Sequence, residues 1–297
     1  MDAPNPSATP TFASRTPLHI GAIALKVRDL DRVAAFYRDV LGLAVLDQAT
    51  DGATDCTILG AGGVPFVHLE HRPDAKPDDT REAGLYHTAF LMPTRADLAR
   101  WVLHVARNKV PITGASDHEV SEAIYLDDPE GNGVEVYVDR PPATWTWSNG
   151  LVRMKTDRLD IEDLVRAAAG ATDYAAAPGG LRVGHIHLRV GDVATAELFY
   201  RDAIGLAVTR GGRDGASFMS SGGYHHHVAG NVWHSAGAKE RDPDRAGLSW
   251  LVLEAADSDT FDLVRARLAQ AGTKLTPTSD GIEAADPWGT RVRITRA

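Results

Sequence analysis

The chain has 297 residues, 43% of them hydrophobic and 24% charged, and a formal charge of −9. That length can bury a sizeable core, and the composition is that of an ordinary soluble globular protein. The acidic balance excludes a phosphate-backbone binder, which needs clustered Lys and Arg, and no apolar run reaches the roughly 18 residues of a membrane span. The single cysteine, Cys56, excludes an internal disulfide framework and fits a buried thiol in a reducing, cytoplasmic setting.

In chain order, residues 1–17 are rich in Pro, Ser, Thr and Ala and read as a disordered tail, since no basic end precedes an apolar run. Alternation over His19 to Val27 predicts a strand, Asp29 to Leu41 a helix stopped by Gly42, and Leu43 to Asp47, Cys56 to Leu59 and Pro65 to His71 three more strands. This is one β-α-β-β-β module, residues 18–75. A second, 84–140, opens at Gly84-Leu85-Tyr86-His87, has a helix over Arg95 to Asn108, and closes with the turn Asp128-Pro129-Glu130-Gly131 and a strand over Gly133 to Tyr137. Residues 141–180 read as a linker with Pro, Gly and Ala ends and a helix over Ile161 to Ala169 capped by Asp160. The third module, 181–236, has its strand at Gly184 to Val190 and its helix at Val193 to Ile204. The fourth, 246–297, runs from Gly247 to Glu254, through a helix over Ser258 to Gly272, to the turn Asp286-Pro287-Trp288-Gly289 and a last strand.

The first and third modules share a phrase. Phe36-Tyr37-Arg38-Asp39-x-x-Gly42-Leu43-Ala44-Val45 returns as Phe199-Tyr200-Arg201-Asp202-x-x-Gly205-Leu206-Ala207-Val208, an offset of 199 minus 36, or 163. The same offset carries Val27 and Asp29 onto Val190 and Asp192. An opening strand, an Asp and this phrase resemble the vicinal oxygen chelate superfamily, which includes glyoxalases, bleomycin-binding proteins and extradiol dioxygenases. Gly84 to His87, Asp117-His118-x-x-Ser121-Glu122-Ala123-Ile124-Tyr125 and Gly222-Gly223-Tyr224-His225-His226-His227 are more specifically similar to bacterial catechol 2,3-dioxygenases of the four-module kind. The resemblance spans about residues 18 to 296. It implies an α+β fold in which four β-α-β-β-β modules pair into two cupped mixed sheets, one cup holding a metal.

The superfamily places one His on the opening strand of each paired module and a Glu on the last strand of one of them. Module three has His185 where module one, at 185 minus 163, has Ala22. Module two has His87 and Glu135 where module four has Trp250 and Arg293. Only a pairing of module two with three, and of one with four, brings His87, His185 and Glu135 together. Two imidazoles and a carboxylate suit Fe(II), and Mn(II) accepts the same set. His187 shares the face of His185 by strand alternation, as a competing ligand or a neighbour.

The resemblance also implies roles beyond ligation. His226 is the acid-base group, on a predicted late strand where His225 and His227 face the other way; a structural role for the three histidines is the alternative. Tyr125, ten residues before Glu135, bonds substrate, and His118 stands on the oxygen side. Asn231, Trp233 and His227 are candidate pocket residues, while Trp145 and Trp147 read as packing residues. The implied function is an iron(II)-dependent extradiol dioxygenase acting on a catechol-type ring and O2, with no nucleic-acid or membrane partner. A bleomycin-resistance-type sequestration protein and a glyoxalase-like isomerase or lyase are the alternatives, the last disfavoured by the missing second carboxylate. The particular catechol, the metal and any homo-oligomer are left open.

Overall fold

An apolar strand, a capping side chain and a short helix recur four times along the chain, and each cap does the same work. Asp29, Thr94, Asp192 and Asp257 accept the backbone N–H of Arg32, Asp97, Thr195 and Thr260 respectively, satisfying a donor the first helical turn leaves open. The structure is a computed structural model and describes residues 10–51, 54–171 and 173–296.

Module one contributes β1 (Leu18–Val27), α1 (Leu30–Asp39), β2 (Ala44–Asp51), β3 (Thr54–Ala61) and β4 (Val64–His71). Module two contributes β5 (Gly84–Leu91), α2 (Arg95–Arg107), β6 (Gly114–Asp117), β7 (Ser121–Asp127) and β8 (Gly133–Asp139). Between the halves lie β9 (Trp147–Ser148), β10 (Leu151–Val152), β11 (Asp157–Arg158) and α3 (Ile161–Arg166). Module three follows with β12 (Arg182–Arg189), α4 (Val193–Glu197), β13 (Ala207–Arg213), β14 (Ala216–Ser220) and β15 (Val228–Asn231). Module four ends the fold with β16 (Gly247–Ala255), α5 (Ser258–Gln270), β17 (Thr276–Pro277), β18 (Gly281–Ala285) and β19 (Arg291–Arg296).

These strands form two large mixed sheets. One runs β11-β6-β7-β8-β5-β12-β15-β14-β13 and the other β17-β18-β19-β16-β1-β4-β3-β2, so the antiparallel seams are β5 with β12 and β16 with β1. The inner sheet thus joins modules two and three, and the outer sheet modules one and four. Among the described residues no helix is long and apolar enough to cross a membrane.

The shared phrase has a structural job in the third and fourth modules. The Tyr200 hydroxyl donates to Asp286 Oδ2 over 3.0 Å, while Asp286 Oδ1 accepts the N–H groups of Trp288 and Thr290 and shapes the closing turn. Tyr37, its counterpart, is buried beside Asp128 without an aligned hydrogen bond, and Asp128 accepts from Glu130 and Asn132 in the matching turn. Glu130 in turn accepts the N–H groups of Arg28 and Asp29, so modules one and two are also tied. Burial raises both aspartates to about 6, above the ordinary value of 3.8. A carboxyl raised on folding stabilises most while protonated, and that advantage fades as pH climbs from about 4 to 6. Relative to Asp286→Asn, the wild-type protein is therefore expected to lose on the order of 2 kcal/mol of stability between pH 4 and 7. Urea denaturation of both at the two pH values measures this, and a gap that does not change with pH contradicts it.

Four expectations need correction. Residues 1–9 lie outside the described residues, but 10–17 do not form a disordered tail: a 3-10 turn at Ala13–Arg15 buries Ala13 and Thr16, and Phe12 packs on Trp145 and Tyr224. The helix of the linker stops at Arg166 rather than Ala169, and its β11 adds to the inner sheet beside β6. Trp145 is buried and donates to the Arg140 carbonyl, whereas Trp147 is exposed. Finally, His225 to His227 lie in the turn between β14 and β15, not on a strand, so side-chain alternation does not sort them. Each of the three rings therefore takes its own direction.

Candidate active site

Strand register gathers the site into two rows on the same face of the inner sheet. Tyr125 pairs with Glu135, Glu135 with Ala89, and Ala89 with His185, so these four lie side by side across β7, β8, β5 and β12. The neighbouring row runs Gly133, His87, His187, Ala229, Phe218 and Arg210. Side chains two apart on a strand share a face, which places His87 beside Glu135 and His187 beside His185. Gly133 has no room for a side chain, because a Cβ there would sit 2.2 Å from the Tyr86 carbonyl. That close approach keeps β8 tight against the strand carrying His87.

Three donors converge. His87, Glu135 and His185 each offer an atom within 4.8 Å of the others, and all three are buried. The Nε2 atoms of His87 and His185 lie 3.0 and 3.2 Å from the same oxygen, Glu135 Oε2. Burial alone would raise the Glu135 carboxyl, but the two imidazoles outweigh it and hold it well below the usual range. Burial lowers His185 to about 4, despite Glu135, so its ring is neutral at neutral pH. A buried carboxylate facing the neutral His185 ring lacks a full counter-charge, which is costly. His87 Nε2 is moreover buried with no aligned hydrogen bond. Ligands at right angles with bonds of about 2.1 Å stand about 3 Å apart, the separation seen from each Nε2 to Glu135 Oε2. The residues therefore fit a divalent cation of the two-His-one-carboxylate kind.

Ala89 makes the gap. A methyl group is all that stands between Glu135 and His185 in their row, so Ala89→Val is expected to lower metal affinity by about tenfold or more without unfolding the protein. Metal analysis after dialysis at graded metal concentrations checks it, and unchanged retention contradicts it.

The rows open onto a cavity of about 770 Å3 lined by His87, Glu135, His185, His187, His118, Tyr125 and His226, with Tyr86, Met154, Phe218 and Trp233 as apolar wall and Lys155 and Arg210 among the polar lining. Tyr86, His187 and Trp233 pack as a cluster of rings, with centroids 5.0 to 5.4 Å apart. On one side His118 Nδ1 meets the Lys155 carbonyl at 2.7 Å and His118 Nε2 meets Tyr125 Oη at 2.7 Å. A carbonyl only accepts, so Nδ1 carries the proton and Tyr125 donates to Nε2. Burial, with Glu135 nearby, pushes the Tyr125 phenol well above its ordinary value and keeps it protonated. Across the cavity, burial and the neighbouring His185 and His225 push His226 well below the ordinary imidazole range, leaving a neutral ring.

The other candidates fall outside the cavity lining. His227 is buried against Thr16 Oγ1, Ser220 Oγ and the Ala13 carbonyl, at 3.0 to 3.2 Å, and pins the N-terminal segment instead of meeting a substrate. Asn231 is buried beneath His187, its Nδ2 3.0 Å from His187 Nε2 and its Oδ1 accepting the Trp233 N–H. It thus orients His187, and His187 Nε2 is occupied as an acceptor rather than turned to Glu135. Cys56 is half-buried on β3, its thiol raised by burial, and has no part in the site. Sequence reasoning missed Ala89, Tyr86 and Phe218. Ala89 alone carried a signal, a small residue two positions after a candidate ligand.

The outer sheet shows what the site's absence looks like. Its matching row is Glu283, Arg293, Val252 and Ala22. Arg293 Nε donates to Glu283 Oε2 over 2.9 Å and its guanidinium lies 4.1 Å from the Trp250 ring centroid. A tethered cation takes the place an ion would need.

Comparison with known proteins agrees with this geometry. The profile of the Glyoxalase/Bleomycin resistance protein/Dioxygenase superfamily matches residues 19–136 and 182–294. The chain is 37% identical over 273 residues to a catechol-2,3-dioxygenase of Bacillus subtilis (strain 168), covering 91% of this chain and 94% of that one. It is 30% identical over 122 residues to biphenyl-2,3-diol 1,2-dioxygenase 3 of Rhodococcus globerulus, covering 39% of this chain and 60% of that one. Among solved structures, glyoxalase I from Zea mays is similar in fold, with a TM-score of 0.58, 15% identity and coverage of 96% of this chain and 94% of that one. The chain belongs to the Glyoxalase/Bleomycin resistance protein/Dioxygenase superfamily, and within it is related over nearly its whole length to catechol-2,3-dioxygenase.

Proposed function

We propose that the protein is an iron(II)-dependent extradiol dioxygenase that opens a catechol-type ring beside its two hydroxyls. The observation that carries this reading is the buried meeting of His87, His185 and Glu135 on the floor of a ring-lined cavity. Iron, when bound there, supplies the positive charge that favours the ionised diol and the one-electron chemistry that lets dioxygen react. Mn(II) is compatible with the same donors.

The chain's own residues supply the rest. Tyr86, Phe218 and Trp233 offer apolar faces to an aromatic ring, and their packing on His187 holds them in place. His226, neutral and at the cavity wall, takes a proton from a diol hydroxyl and later returns one to the opened product. Tyr125 keeps its proton and offers it as a hydrogen bond to substrate oxygen, with His118 as its acceptor between turnovers. The aromatic wall of Tyr86, Phe218 and Trp233 keeps much of the bulk water from these exchanges.

Anaerobic loading with ferrous iron, followed by a panel of catechols and then oxygen, tests the reading. A yellow ring-fission product with stoichiometric oxygen uptake is the expected result. Full iron loading with no oxygen uptake across the panel overturns it.

A further inference from the structure

Three adjacent histidines leave the turn before β15 in three directions. His227 holds the N-terminal segment, His226 lines the cavity, and His225 is wholly buried behind it. The ring of His225 is clamped between Tyr224 and Trp145, with centroids 4.0 and 5.2 Å away. Its two nitrogens are both engaged: Nδ1 lies 2.8 Å from His226 Nδ1, and Nε2 lies 2.8 Å from Asp139 Oδ1.

The proton positions along this line follow from counting donors. A neutral imidazole carries one donor and one acceptor, and an ionised carboxylate only accepts. Asp139 Oδ1 already accepts from the Tyr224 hydroxyl and takes the His225 Nε2 proton as well, and a His225 ring carrying that one proton accepts at Nδ1. The proton between the two rings must then belong to His226 Nδ1. That leaves His226 Nε2 with its lone pair, on the edge of the ring away from His225. Tyr224 Oη lies 3.1 Å from the same Asp139 oxygen and 2.6 Å from Tyr137 Oη, so the tyrosines also donate towards Asp139 and reinforce the direction.

We propose that Asp139, acting through His225, is a positioning residue that sets the tautomer of His226 and presents Nε2 to the cavity as a proton acceptor. This rests on His226 being the acid-base group of the proposed ring opening. Neither Asp139 nor His225 touches the cavity, so their effect is carried by one hydrogen bond apiece. The arrangement resembles in logic a carboxylate that orients a histidine by its second nitrogen, with one further imidazole interposed.

Nitrogen-15 shifts of the histidine rings, read on the full chain loaded with diamagnetic zinc, test the tautomer directly. His226 is expected to be protonated at Nδ1 and bare at Nε2; a proton on Nε2 in the wild-type protein overturns the proposal. In parallel, iron-loaded Asp139→Ala and Asp139→Asn are expected to lose about 10²-fold in kcat, with KM and iron content within about twofold of wild type, and Asp139→Glu to recover part of it. Both variants folding, loading iron and keeping wild-type kcat also overturns it. If wild-type protein opens no catechol, the functional reading fails, while the nitrogen shifts still decide the tautomer.

Discussion

An iron-loaded His226→Ala protein is expected to open its catechol about 10²- to 10⁴-fold more slowly than wild type, with iron content unchanged. His226 lines the cavity and its ring centroid stands 4.0 Å from that of His185, yet its Nδ1 is taken by His225, so it is not among the three converging donors. Removing it takes away a proton acceptor and leaves the ligand set whole. Single-turnover absorbance measurements with anaerobically bound substrate separate the two effects: slow substrate ionisation with normal binding is the expected signature. A variant that loses iron in proportion to activity would assign His226 to ligation and sink its acid-base role.

Glu135→Ala and His185→Ala should behave in the opposite way. Each removes one of three donors within 4.8 Å of one another, and loss of a ligand costs at least as much as loss of a group that merely orients one, more than about 100-fold in metal affinity. Activity should fall with occupancy, and excess ferrous iron should restore little. The metal-free proteins should remain folded, because Ala at position 22 and Arg at position 293 are tolerated in the same rows of the outer sheet. Iron retained at wild-type affinity in either variant contradicts the ligand assignment, whatever the activity.

The α+β architecture and the superfamily were legible because local signals agree with the global fold. Each module announces itself by an opening strand and a capping residue, and the 163-residue offset is rigid enough to compare one row with another. The meeting of His87, Glu135 and His185 could be reasoned out because β-ladders have a period of two and these residues sit on ladders. The histidine run failed for the same reason in reverse. Gly222 and Gly223, with φ of +64° and +78°, carry the chain into a turn that side-chain alternation does not govern. The Gly-Gly pair was a visible warning. Residues 10–17 misled because their composition has no period, while the contacts that order them, Trp145, Tyr224 and His227, lie far off in sequence. Asp139 carried no signal, since an acidic residue closing a strand looks like a solvated end; only the fold shows it behind His225.

Arg293 has a consequence for anyone hoping to engineer a second catalytic basin into this scaffold. Imidazoles at positions 22 and 250 would not suffice, because the guanidinium already neutralises Glu283 and rests on Trp250. Exchanging Arg293 for an acidic side chain would set two carboxylates next to each other, with only Arg291, already paired with Glu283, to balance them until a cation arrived. The silent basin is locked by its own charge pairing, and opening it requires redesign of the whole row at once.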